Sequence, residues 1–303
     1  MLALNARHFP FSTRRSITWR GIVKIIFLSF SKCAGVAIRN AITRNNPHLR
    51  RLPAWGRSQT CRYPIAELNR YDFFAGHLDW SDLDCLEGER FVFTVLRPPL
   101  ERTISQYCHW RDQYRRWREQ AAKAISRGDL PADRQPMEHL VHTLSPAEFF
   151  EKLLSKDWKN ARDWFDNLYT YFFFYRGYYG RRWARLNGLS TSDVLELALA
   201  NMAHIDYVAT FANLDQDMRE VERLTGIRFA HDLRVENRST FGSGSDRRDL
   251  VQQWDPSGHL EKTLHAFTVY DSIIYDLAST KRIGRARHAA QVQSGPISGI
   301  ATS

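Results

Sequence analysis

The chain has 303 residues, 43% hydrophobic and 13% aromatic, with a formal net charge of +10. That is enough apolar material for a sizeable core in one large domain, which argues against a disordered or fibrous chain. No apolar run reaches the roughly 18 residues that span a bilayer, since Ile22 to Phe30 is interrupted by Lys24.

The charge is unevenly placed. Residues 1 to 66 hold twelve Lys or Arg and no Asp or Glu, and the remainder is slightly acidic. The expectation is a cationic field centred on the first loop described below, with residues 1–20 as a solvated basic extension. That Arg-rich, acid-free start also resembles an organelle transit peptide, and no secretory pattern opens the chain. Cys33, Cys61, Cys85 and Cys108 form neither a CxxC pair nor a Cys-His ligand spacing. No disulfide framework and no metal site are therefore expected, and a reducing compartment is the simpler setting.

In chain order, Ile22 to Phe30 reads as a strand buried on both faces, because β-branched and aromatic residues run without polar alternation. Small residues and Lys32 form a turn, and a helix follows over Val36 to Thr43. Short strands are expected at Tyr71 to Ala75 and Phe91 to Leu96. Pro98 and Pro99 suit a helix start, and that helix runs through Ser105 towards Ser126. Ser145, Pro146 and Glu148 have the spacing of a capping box before an apolar run ending near Leu154. A helix from Ser192 to Met202, a strand over Asp206 to Phe211 and a helix over Leu214 to Thr225, stopped by Gly226, come next. Leu260 to Ala278 reads as one last long helix. Phe241 to Asp249 is Gly/Ser-rich and expected to be mobile, and 281–303 is expected to be a disordered tail. Strands alternating with helices imply an α/β fold with a parallel sheet, whose ligands sit beyond the carboxyl ends of the strands.

Two segments begin at such ends. After Phe30 the chain turns through Ser31, Lys32, Cys33, Ala34, Gly35 and Val36, where backbone amides at a helix start and one lysine can hold an anion. The order is not GxxxxGK[ST], which disfavours ATP hydrolysis. Cys33, if placed at that helix start, would carry an acidified thiol. At the second end, Arg97 leaves its strand and Ser105 follows two helical turns later, so both can meet one phosphate. An arginine in that position also commonly forms a structural ion pair. Arg102 on the same helix is expected to pair with a carboxylate.

Lys32-Cys33-Ala34-Gly35-Val36-Ala37 and Arg97-Pro98-Pro99-Leu100-Glu101-Arg102-Thr103-Ile104-Ser105 resemble the two nucleotide-binding motifs of the sulfotransferase family that includes the heparan sulfate 2-O-sulfotransferases. Gly76-His77-Leu78-Asp79-Trp80 is similar to that family's Gly-His element. Fainter echoes stand at Asp166 to Tyr171, Val235 to Ser239 and Tyr270 to Tyr275, so the likeness covers about Ile22 to Ala278. The chain departs from the pattern at Val36 and Ala37, where the family carries hydroxyls, and at Pro98, where it carries Asp.

The resemblance implies a P-loop-NTPase-like sulfotransferase fold over 21–280 and direct in-line transfer of a sulfuryl group from PAPS, leaving PAP, to an acceptor hydroxyl. It implies that Ser31 to Val36 hold the 5′-phosphosulfate, Arg97 and Ser105 the 3′-phosphate, that Lys32 stabilises charge on the leaving nucleotide, and that His77 is the base. His109 is the next candidate base. Arg111, Arg115, Arg116 and Arg118 on one helix, and Arg176, Arg181, Arg182 and Arg185 among Tyr175, Tyr178, Tyr179 and Trp183, would suit an acidic glycan acceptor or simply cover the core. No specific nucleic acid and no membrane anchor are expected, and a cytoplasmic enzyme follows. The alternatives are a P-loop-type nucleotide kinase and a non-catalytic polyanion binder on a decayed site.

Overall fold

The computed structural model describes residues 23–54, 56–127, 141–154, 162–229 and 247–280. The expected basic extension, the tail and the Val235 to Ser239 segment lie outside the described residues. Of the stretch expected to be mobile, 241–246 lies outside as well, whereas Arg247 to Asp249 open a helix.

The protein is α/β, with a four-stranded parallel sheet flanked by helices. The strands are β1 (Lys24–Leu28), β2 (Phe73–Gly76), β3 (Arg90–Leu96) and β4 (Tyr207–Thr210), in the order β2-β1-β3-β4. The helices are α1 (Gly35–Asn45), the single turns α2 (Arg57–Thr60) and α3 (Ile65–Leu68), α4 (Pro99–Ser126), α5 (Pro146–Leu154), α6 (Leu168–Tyr175), α7 (Gly180–Leu186), α8 (Thr191–Met202), α9 (Leu214–Thr225), α10 (Arg247–Trp254), α11 (His259–Ala266) and α12 (Val269–Ser279). No described helix is long and apolar enough to cross a membrane.

Alternation along the strands feeds two cores. Ile25, Phe27, Phe73, Phe91 and Phe93 face α1 and α9, meeting Ile38, Ile42, Met218 and Val221. Ile26, Leu28, Phe74, Val92 and Val208 face the other way, against α6, α8 and α12. A third cluster joins α4 to α5, α10 and α11 through Ile104, Tyr107, Phe149, Phe150, Leu250 and Leu260.

This layering creates the crevice. After β1 the chain returns along α1 on one face, and after β3 it returns to β4 by way of α6 and α8 on the other. The neighbouring strands β1 and β3 thus send their connections to opposite faces, a topological switch point of the kind at which α/β sheets place a ligand crevice.

The predicted capping box holds: Glu148 N–H donates to Ser145 Oγ at 3.3 Å and Ser145 N–H to Glu148 Oε2 at 2.8 Å. Gly226 ends α9 at φ 73°, a left-handed cap that favours glycine. Two expectations are corrected. The helix expected from Ser192 begins one residue earlier, at Thr191, because Ser190 caps it by exchanging side-chain-to-main-chain bonds with Asp193. The last long helix is two, divided at Phe267 and Thr268, where the Phe267 carbonyl turns away to accept Asn167 N–H at 2.7 Å.

The break serves α6. Asp271, fully buried at the start of α12, accepts from Tyr169 N–H at 3.1 Å, Thr170 N–H at 2.9 Å and the Thr170 hydroxyl at 2.9 Å. Asn167 Oδ1, just before α6, accepts from Tyr270 N–H at 2.9 Å and Asp271 N–H at 3.2 Å. Each helix thus satisfies the orphan donors of the other's first turn, which fixes α6 and its tyrosines.

Candidate functional site

β1 delivers the chain into a strained turn. Lys32 and Ala34 have φ of 69° and 61°, while Cys33 between them does not share the positive sign. Alternation of this kind turns successive amides to one side and makes an anion-holding concavity. Ala34 precedes α1 with no side-chain cap, and the first turn of α1 carries no acid, so its leading amides remain for a ligand. At Gly35 a Cβ would lie 1.9 Å from Ser29 Oγ, so glycine is what lets the Ser29 hydroxyl sit against the turn. Lys32 is half-buried here.

Hydrogen bonds tie this turn to β3 and α4. Tyr169 on α6 donates its hydroxyl to the Arg97 carbonyl at 3.0 Å and accepts Arg97 N–H at 3.1 Å. The same oxygen stands 3.1 Å from Cys33 Sγ. With the tyrosine proton directed at Arg97, the thiol hydrogen serves the Cys33 contact. Ser31 donates to Gln106 Oε1 on α4 at 2.5 Å. The two sequence segments therefore share one neighbourhood at the crevice.

Cys33 overturns one expectation. Its thiol is buried, and burial pushes its pKa up, outweighing the Tyr169 hydrogen bond and the charges of Arg102 and Arg97. It is an inert packing and hydrogen-bonding group rather than an acidified nucleophile. Tyr169, buried, and Tyr178, half-buried, are pushed well above the usual tyrosine value by desolvation and remain donors.

Arg97 is held on two sides. Its guanidinium carbon lies 4.8 Å from the centroid of Phe211, just past β4, and its Nε is 3.3 Å from Glu101 Oε2. Its Nη atoms have no hydrogen-bond partner among the described residues. Ser105 is buried one turn beyond Glu101 and likewise has no partner among them. Arg102 corrects another expectation: fully buried, it donates to the carbonyls of Trp164 (3.0 Å) and Phe165 (3.2 Å) and to Thr103 Oγ1 (3.2 Å), not to a carboxylate.

His77 follows β2, whose end pairs with β1 at Leu28 and Gly76. Its Nδ1 is 2.8 Å from the Ser29 carbonyl, a group that only accepts, so Nδ1 carries the hydrogen and Nε2 the lone pair. The Tyr178 hydroxyl donates to the same carbonyl at 2.8 Å and lies 3.1 Å from Nδ1. The rings of Tyr178 and Trp164 meet the imidazole edge-on at centroid distances of 5.7 and 6.4 Å. Burial lowers the His77 pKa below 6.5, partly offset by the Ser29 bond, which leaves it neutral at pH 7. Asp79, buried beside it, accepts Tyr178 N–H at 2.9 Å. His109 sits half-buried on α4.

The proposed acceptor face is reduced. Arg181 pairs with Asp163 and Asp166, and Arg176 grips Asp84 while lying 4.4 Å from the Trp80 ring centroid. Arg182 and Arg185 stay exposed beside Trp183. Arg111 donates to the Tyr107 hydroxyl at 3.1 Å, and the side chains of Arg115 and Arg116 lie outside the described set. The charge expectation also changes: Arg44, Arg50 and Arg51 sit at the opposite end of the sheet, where Arg50 pairs with Asp72 and Arg51 bridges to the first residue of β2. The helix that leaves the loop carries its own basic end away from it.

Tyr169, Tyr178, Gln106, Glu101, Phe211 and the Ser29 carbonyl were not legible as site groups. Tyr169 lies in the DNLYTY echo and Tyr178 in the aromatic-arginine run, which were the available signals. No protein-family model matches this chain, and no curated protein matches it.

Proposed function

We propose that this protein is a PAPS-dependent sulfotransferase with a P-loop-NTPase-like fold, moving a sulfuryl group to an acceptor hydroxyl. The observation that supports the reading is the Tyr169 hydroxyl, which binds the Arg97 main chain and the Cys33 thiol together and so holds the Lys32-bearing turn beside the Arg97-bearing strand end.

The residues fit such a donor. The uncapped, acid-free start of α1 and Lys32 would hold the 5′-phosphosulfate, with the amides near Val36 and Ala37 replacing the missing hydroxyls. The Nη edge of Arg97 and the Ser105 hydroxyl would hold the 3′-phosphate. When bound, PAPS supplies a sulfuryl group already joined to a good leaving group. His77 Nε2, neutral and bearing the lone pair, takes the acceptor proton, and Lys32 offsets charge on the departing side. Arg182, Arg185 and Trp183 support an acidic glycan as acceptor, and four free cysteines fit a reducing compartment such as the cytoplasm.

The test is a PAP titration followed by thermal unfolding, then transfer from labelled PAPS to a panel of glycans and lipids. PAP at 100 times its Kd should add about 2.7 kcal/mol of stability. Stabilisation by ATP with Mg²⁺ but not by PAP would favour a kinase. Binding that is steeply salt-dependent and indifferent to Lys32→Ala would favour a non-catalytic polyanion binder.

A further inference from the structure

Arg97, Glu101 and Ser105 are spaced by four residues, and from Pro99 onward that spacing lies on α4, where one turn rises about 5.4 Å. Glu101 therefore stands between the two groups that the proposed function gives to the 3′-phosphate. Its carboxylate already engages Arg97 through Nε at 3.3 Å, and Phe211 backs the guanidinium. Arg97 is 16% exposed and Glu101 30%, so the arginine is the fixed partner and the glutamate has room to leave.

We propose that Glu101 is an internal anion that competes with the 3′-phosphate for Arg97, and so sets the affinity and the release rate of the bisphosphate nucleotide. This rests on the sulfotransferase reading and adds a specificity-determining residue to it.

Two effects of Glu101 oppose each other. Holding Nε orients the Arg97 fork, which favours binding. A carboxylate beside an arriving dianion repels it, which disfavours binding. The orienting contact is a single long bond to a guanidinium already backed by Phe211 and anchored through its main chain to Tyr169. Repulsion acts on a phosphate held by the same guanidinium, within a few ångströms in a partly buried crevice where screening is weak. Repulsion therefore dominates.

The experiment compares wild type, Glu101→Gln and Glu101→Ala by calorimetric titration with PAP and with adenosine 5′-monophosphate, which lacks the 3′-phosphate. Stopped-flow release of PAP and thermal melts accompany the titrations. The expected result is PAP binding about 10-fold tighter in both variants, equivalent to about 1.4 kcal/mol. PAP release should slow by a similar factor, and the monophosphate affinity should change less than about 2-fold. PAP affinity that is unchanged or weaker in folded variants overturns the proposal and makes Glu101 an orienting residue. Equal tightening of both nucleotides also overturns it, since the effect would then ignore the 3′-phosphate. Absence of PAP binding to wild type removes the sulfotransferase reading itself, and this inference with it.

Discussion

Tyr169 and Arg97 hold each other by both main-chain groups of the arginine, the hydroxyl donating to its carbonyl at 3.0 Å and accepting its N–H at 3.1 Å. Because the same oxygen meets Cys33, one hydroxyl on α6 sets the spacing between the β1 turn and the β3 end. Tyr169→Phe should keep the ring packing against Phe30 and lose these bonds, costing about 1 to 3 kcal/mol of stability. PAP affinity should fall with it, and equal affinity by titration would separate the hydroxyl from the nucleotide site.

Lys32→Ala should fold normally and lose transfer activity by at least about 100-fold, consistent with loss of an electrostatic stabiliser. Arg97→Ala should act mainly on nucleotide affinity, while its loss of packing on Phe211 costs little stability. Turnover with labelled PAPS and PAP titration separate the two effects. Full turnover in a folded Lys32→Ala protein contradicts its assigned role.

The His77 environment fixes the sign of a pH dependence. With His77 as the proposed base, the neutral imidazole would be the active form; burial lowers its pKa below 6.5, so activity should be flat above neutrality and fall only as the solution becomes more acidic than that value. His77→Ala should reduce turnover by about 10² to 10⁴ and abolish this acid limb. Tyr178→Phe, which keeps the ring contacts with Phe172 and Trp164, should lower kcat several-fold without changing PAP affinity. A pH–rate profile of all three proteins checks the assignment.

Asp271 gives a stability signature. Burial raises its pKa from 3.8 to about 6 despite the Arg102 charge and the Tyr169 and Thr170 bonds. The native state therefore binds the proton more tightly than the unfolded chain. The Asp271 contribution is fully present below about 3.8 and is lost as pH rises through about 6, by about 3 kcal/mol. Denaturant unfolding of wild type and Asp271→Asn at pH 4 and pH 7 isolates it: the advantage of wild type should shrink at the higher pH. A pH-independent difference would mean that Asp271 titrates as an ordinary carboxyl.

Local pattern was enough for β1 and β3, whose short β-branched and aromatic runs lack polar alternation, and for the Ser145–Glu148 box and Gly226, whose chemistry acts within four residues. It failed at α6. Leu168–Tyr175 is LYTYFFFY, apolar on nearly every face, so it carries no amphipathic period, and its first turn is capped from Asp271 about a hundred residues later. The same distance explains why α12 was not separated from α11: its start is set by Asn167, not by a neighbour in sequence.

The sequence by itself determined that a lysine-bearing turn and an arginine each follow a buried parallel strand, because strand burial and helix starts are read from residues close in the chain. Only the tertiary structure decided which strands are neighbours, that β1 and β3 open one crevice, that Cys33 is buried and unreactive, and that Arg97 meets Glu101 and Phe211. Those outcomes depend on packing between segments up to about a hundred residues or more apart, where burial and hydrogen bonding are set by the whole fold rather than by any local pattern.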